Sequence, residues 1–122
     1  MCLIRSTKAP KSLKKHGIAY KELSEWNGDL VAPYQGTTYQ LNRWYKATGR
    51  IRDGVGFYLF KRPQKYLEVY VVEYYVPLTV GKFNNKSCMT SRYMRVLGEY
   101  KPGHKYKISS PPTKKDIIDL GK

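Results

Sequence analysis

The residues able to do chemistry are few and far apart. Two cysteines (Cys2, Cys88) and two histidines (His16, His104) are scattered, with no C-x-x-C or H-x-x-x-H spacing. A zinc centre needs its ligands to converge from distant segments, so no metal site and no cofactor is expected. Cys2, directly after Met1, reads as a small apolar residue of an edge strand. No G-x-S-x-G, Walker loop, G-x-G-x-x-G or metal signature is present. Carboxylates number nine, several of them beside lysine. General acid–base work needs such groups close together with matched pKa values. Glu73, among tyrosines in an apolar run, is expected to pair with a neighbouring lysine or arginine, and no residue is assigned a catalytic role.

The excess is cationic. Lys and Arg number 23, and the formal net charge is +14. Before Glu22 the chain carries six Lys or Arg and no carboxylate. Such a balance raises the local concentration of anions but says nothing about fold. Basic and aromatic residues interleave at Arg43-Trp44-Tyr45-Lys46, Phe60-Lys61-Arg62, Lys65-Tyr66, Arg92-Tyr93 with Arg95, and Lys105-Tyr106-Lys107. Bases stack on aromatic faces while Lys and Arg neutralise phosphates. The expected phosphate contacts are Lys11, Lys14, Lys15, Lys61, Arg62, Arg92 and Arg95, with Trp44 and Tyr58 as stacking partners. The expected partner is nucleic acid or a nucleoprotein complex, with an acidic protein surface as the alternative.

These side chains must be positioned by β-structure. The stretch Val55–Val80 (VGFYLFKRPQKYLEVYVVEYYVPLTV) is the longest apolar, β-prone region. It reads as two central strands joined by a short helical or turn segment opening at Pro63, with Tyr66, Leu67 and Tyr70 on one helical face. In the second strand the even positions Tyr70 to Val80 form an apolar face, and the mixed odd positions predict half exposure. Pro77 cannot donate to a ladder and predicts a bulge or an edge.

Elsewhere, Met1–Arg5 predicts an edge strand, Ser6–Gly17 a basic loop, and Ile18–Ser24 a strand. Asn27-Gly28 predicts a two-residue type I′ hairpin into Leu30–Ala32, stopped by Pro33. Tyr34–Gly36 reads as a turn, and Thr37–Tyr45 as one strand or, through a turn at Asn42-Arg43, a small hairpin. Lys46–Gly54 and Gly81–Thr90 read as loops, and Arg92–Leu97 as a late strand. Ser109-Ser110-Pro111-Pro112 marks the end of the compact domain (1–108, with the basic loop 6–17), leaving 109–122 as a tail that is frayed or holds one helical turn. The fold class is therefore α+β or mainly β: a single small domain with an antiparallel sheet of about five to seven strands and one or two short helices. No run approaches the roughly 20 apolar residues of a membrane span, and the N-terminus lacks a signal-peptide core, so a cytoplasmic location and no membrane partner are expected.

Over roughly residues 1 to 100, the succession MCLI, IAYKEL, APYQGTTYQL, GVGFYLF and VVEYYVPL resembles a family of small uncharacterised phage and prophage proteins. That resemblance implies a place in the bacterial host cytoplasm and a role in host takeover or counter-defence of the anti-CRISPR kind, by inhibition of a nuclease complex or capture of a nucleotide signal. The GFYLF strand and the long strand after it are also similar to small ADP-ribosyltransferase folds, which implies an NAD-dependent transferase using a later glutamate, Glu73 or Glu99. Oligomeric state is left open by the sequence.

Overall fold

The computed structural model describes residues 4–8, 10–31, 38–47, 57–63, 68–83 and 86–119. Ten strands are formed among them: β1 (Ile4–Lys8), β2 (His16–Glu22), β3 (Ser24–Trp26), β4 (Asp29–Val31), β5 (Thr38–Tyr39), β6 (Trp44–Lys46), β7 (Phe57–Phe60), β8 (Val69–Phe83), β9 (Lys86–Glu99) and β10 (Ile117–Asp119). Mainly β is the correct half of the expected class. Among the described residues the expected short helices are not formed, and the helical element is one 3-10 turn, Lys114–Asp116. Val69 and Tyr70, expected near the end of a helix, begin β8, where β-branched neighbours favour an extended chain. Residues 64–67 of that expected helix lie outside the described residues.

The frame is the hairpin β8–β9. It pairs antiparallel from Tyr70↔Glu99 to Phe83↔Lys86. Of Gly81–Thr90, expected as a loop, the described residues 81–83 and 86–90 therefore pair as strand ends of this hairpin; their polar composition reflects the exposure of Lys82, Lys86 and Ser87, not a lack of strand. Along the outer edge of β8 run β2 and then β1; along that of β9 run β6 and then β7. Both long strands change course at a bulge. Val76 has φ +59, and two β8 steps from Pro77 to Thr79 oppose one step of β9. The bulge expected at Pro77 is thus present, and the extra residue bends the ladder. The bend brings β7 round to β2, where Tyr20 pairs Phe60, so β8, β2, β7 and β9 close a ring. A second sheet, β3–β4–β5, packs on the ring through Leu30 and Tyr39. The hairpin expected at Asn27-Gly28 is formed, with φ +49 and +86 at the two central residues. Thr38–Lys46 is neither one strand nor a hairpin. Asn42 turns the chain at φ +61, and β5 and β6 then pair with different sheets.

The core lies inside the ring. Ala19, Leu23, Tyr45, Phe57, Leu59, Val72, Tyr74, Met89, Met94 and Val96 are buried together there. Of the even positions of β8, Val72 and Tyr74 belong to this core and Tyr70 and Val80 pack against it; Val76 and Leu78, at the bulge, do not join it. The odd face is not half exposed along its length: Val71 and Glu73 are buried. Chain from the expected tail covers this face. Ser109 lies against Glu73, and β10 adds to the sheet in parallel with β6, Ile117 opposite Trp44. Residues 6–8 and 16–17 of the expected basic loop are strand residues of β1 and β2. Ala32–Gly36, Thr48–Gly54 and Cys2 lie outside the described residues.

Two features of β2 generate predictions. A side chain added at Gly17 would meet the Tyr74 ring, 2.9 Å from Oη. That ring is buried, and its hydroxyl donates to the Lys14 carbonyl at 3.0 Å, so it cannot step aside. Gly17→Ala is expected to cost about 1–3 kcal/mol in a urea titration. Lys21 lies on the inward parity of β2 with Ala19. Its ammonium is buried, donates to the Tyr58 carbonyl at 3.0 Å, and is pulled by desolvation from 10.5 to about 8. Between those values the unfolded chain holds more protons than the folded one, so stability rises with pH from about 8 to about 10.5. Above pH 10.0 the hydroxyls of Tyr70 and Tyr74, both raised chiefly by desolvation, act oppositely because the unfolded tyrosines ionise first. Lys21→Met is expected to raise the stability at pH 7 by on the order of 2–3 kcal/mol and to abolish the rise towards pH 10, read from urea midpoints across that range.

Candidate nucleic-acid interface

The register of the sheet sets out two rows of side chains on the face opposite the core. The first crosses five strands: Ile18, Glu73, Arg95, Trp44 and Ile117. The second, two residues along, holds His16, Tyr75, Tyr93 and Lys46. Period-2 alternation puts both rows on one side, with strands about 4.8 Å apart.

Glu73 is the hub of this face. Its side chain has 0% exposure. Both Arg95 N–H groups donate to Oε1, Nη2 at 2.8 Å and Nε at 3.1 Å. The His16 Nε2–H donates to Oε2, because an ionised carboxylate only accepts; that contact selects the tautomer and orients the ring. The Ser109 N–H donates to Oε2 at 2.8 Å, and its hydroxyl stands 3.2 Å from both oxygens. A carboxylate withdrawn from water in this way is retained only with such compensation. Every oxygen lone pair of use to a substrate is already engaged, so Glu73 is an organiser of its neighbours.

Around the hub lie stacked rings and cations. The Arg95 guanidinium stands 5.7 Å from the Trp44 ring centre. His16 packs on Trp44 at 6.1 Å and edge-on to Tyr75 at 5.6 Å. Tyr75 and Tyr93 lie at 5.9 Å with planes tilted by 43°. The exposed Lys15 places its Nζ 5.4 Å from the Tyr75 ring centre. Trp44 is buried, whereas Tyr75, Tyr93 and Lys46 are half-buried and reachable.

Of the residues expected to bind phosphate, Lys15 and Arg95 meet here. Exposed Lys11 and Lys14 belong to the loop that leads into His16. Arg92 has the opposite parity from Tyr93 and donates to the Ala47 carbonyl at 2.8 Å. Lys61 and Arg62 do not join the group. The Lys61 amide bonds to Ser87, and the strand from Ser87 to Arg95 is about 25 Å long when extended. Trp44, expected to stack on bases, is enclosed beneath Arg95; Tyr58 lies on β7, away from both rows. Glu73 pairs with an arginine, as expected of it. Sequence reasoning missed His16 and Ser109 as its partners, and Tyr75 as part of the face. Tyr93 and Lys46 were within the interleaved basic and aromatic segments, which was the usable signal.

The hub yields a stability prediction. Glu73→Gln presents an amide N–H₂ to donors and strips Arg95 of its countercharge, and is expected to cost about 3–5 kcal/mol in thermal or urea unfolding. The double change Glu73→Leu with Arg95→Leu is expected to cost less than Glu73→Leu alone, since no unpaired charge remains. Ser109→Ala, which keeps the backbone donor, is expected to cost about 1 kcal/mol. Comparison of the chain with protein-family models, with curated proteins and with solved structures returned no match.

Proposed function

We propose that this chain is a non-enzymatic binding protein for nucleic acid or a nucleic-acid-containing complex. The observation that carries the reading is the row His16–Tyr75–Tyr93–Lys46 with Lys15 beside the Tyr75 ring: two accessible rings with lysines at hand, on the same sheet face as the Glu73 cluster. Two adjacent tyrosine faces suit bases of a single strand, whose stacking tolerates any sequence; Lys15 and Lys46 stand where the flanking phosphates of such a strand would pass. Lys11 and Lys14 extend the positive field along the approach, and a net charge of +14 draws a polyanion from a distance. The transferase alternative needs an open glutamate. Glu73 is closed on all sides, and Glu99 lies exposed at the end of β9.

The test is fluorescence anisotropy with labelled single-stranded DNA and RNA. With about five phosphates neutralised, affinity is expected to fall more than a hundredfold between 50 and 200 mM salt. Tyr75→Ala and Tyr93→Ala are each expected to weaken binding by about 1–3 kcal/mol with the salt dependence kept. Lys15→Gln with Lys46→Gln is expected to reduce the salt slope by about two. No binding at 50 mM salt, or binding indifferent to these four side chains, rejects the proposal.

A further inference from the structure

The row of the stacking face contains one group of a different hydrogen-bonding character. His16 opens β2 and spends one ring nitrogen on Glu73, its Nε2–H donating to Oε2. Glu73 already has its countercharge in Arg95, whose N–H groups hold Oε1 at 2.8 and 3.1 Å, so the imidazole is called on for a hydrogen bond and not for charge. With the proton on Nε2, the other nitrogen, Nδ1, carries a lone pair and can only accept. Every buried side-chain nitrogen or oxygen among the described residues has a hydrogen-bond partner. Nδ1 has none among those residues, so it is open to solvent. The ring is otherwise enclosed: its side chain is 14% exposed, with Trp44 and Tyr75 packed on it.

The groups around it are mostly donors. Lys15, Lys46 and Arg95 have no acceptor to offer, and the hydroxyls of Tyr75 and Tyr93 can act in either sense. An oriented acceptor in such company selects a donor in the ligand. A single nucleic-acid strand offers phosphate oxygens, which accept, base edges, and in RNA the 2′-hydroxyl of each ribose. Position decides between the last two. A base stacked on Tyr75, with its phosphate at the Lys15 Nζ 5.4 Å from the centre of that ring, has its sugar between the two. His16 follows Lys15 in the chain, and its ring stands edge-on to Tyr75 at 5.6 Å. The sugar is therefore the part of the nucleotide that comes to His16.

We infer that His16 Nδ1 accepts a hydrogen bond from a ribose 2′-hydroxyl, which makes single-stranded RNA the preferred class of ligand. The inference rests on the single-strand reading above and adds the choice of sugar to it. Glu73 acts through His16 as a positioning residue. By holding Nε2–H it fixes the tautomer, and the tautomer makes Nδ1 an acceptor; a ring free to turn over would present N–H and lone pair alike and choose neither sugar.

Fluorescence anisotropy at low salt with three labelled oligouridines tests this: ribose, 2′-deoxyribose and 2′-fluoro. Bases and phosphates are the same in all three, and the fluoro sugar keeps the pucker of RNA without a donor. The ribose oligomer is expected to bind about three- to tenfold more tightly than either of the others. His16→Gln is expected to remove that difference. Because the substitution also disturbs the contact with Glu73, nitrogen NMR on histidine-labelled protein keeps His16 intact, with its signals told from those of His104 by His104→Asn. The Nδ1 resonance of His16 is expected to move more with the ribose oligomer than with the fluoro one. A ribose preference that survives His16→Gln, or an Nδ1 resonance that responds alike to both sugars, overturns the inference. Equal affinity for all three oligomers overturns it and leaves the single-strand reading standing, whereas no binding of any of the three overturns both.

Discussion

A carboxylate cut off from water in the middle of a sheet sets the terms for one whole side of this molecule. Glu73 occupies a central position of the longest strand, where an apolar residue would have been the easy solution. Its burial demands donors from every direction, and they come from distant parts of the chain: His16 at the start of β2, Arg95 in β9, and Ser109 in the segment between β9 and β10. Removing any one leaves charge or lone pairs unanswered in a poorly solvated place, which ties these segments to one arrangement. The result is less a gain in stability than a specification of which strand lies where.

That specification has a surface consequence. Arg95 is spent on Glu73 and on the Trp44 ring, and the pair becomes a platform. The next row outward, His16, Tyr75, Tyr93 and Lys46, inherits its orientation from the platform by the simple alternation of the pleat. Cations and rings fixed in this manner lose little freedom when a ligand arrives, whereas the same residues on a free arm would have to be ordered first.

Closure itself rests on an irregularity. A regular β8 would carry its ladder on in one direction; the positive φ at Val76 and the extra residue before Thr79 turn it, and β7 then meets β2. Proline at position 77 announces the break because it has no N–H to donate. How far the chain turns, and which strands meet as a result, is not written in that residue.

Local physics was legible in the sequence wherever a few neighbouring residues settle the matter. Asn27-Gly28 demands positive φ and forms its turn; Val71–Val80 is too β-branched for a helix; Val72 and Tyr74, even positions of β8, face the core. The scarcity of carboxylates and the surplus of cations also follow from composition alone. Tertiary structure decided the rest. The polar segment 81–90 is a hairpin because each arm pairs with the other, and the odd face of β8 is buried because chain from beyond residue 108 returns to cover it. Glu73 meets His16 and Ser109 across 57 and 36 residues of separation. Contacts at such range depend on strand order and register, and no pattern of periodicity or spacing encodes those in the residues that make the contact.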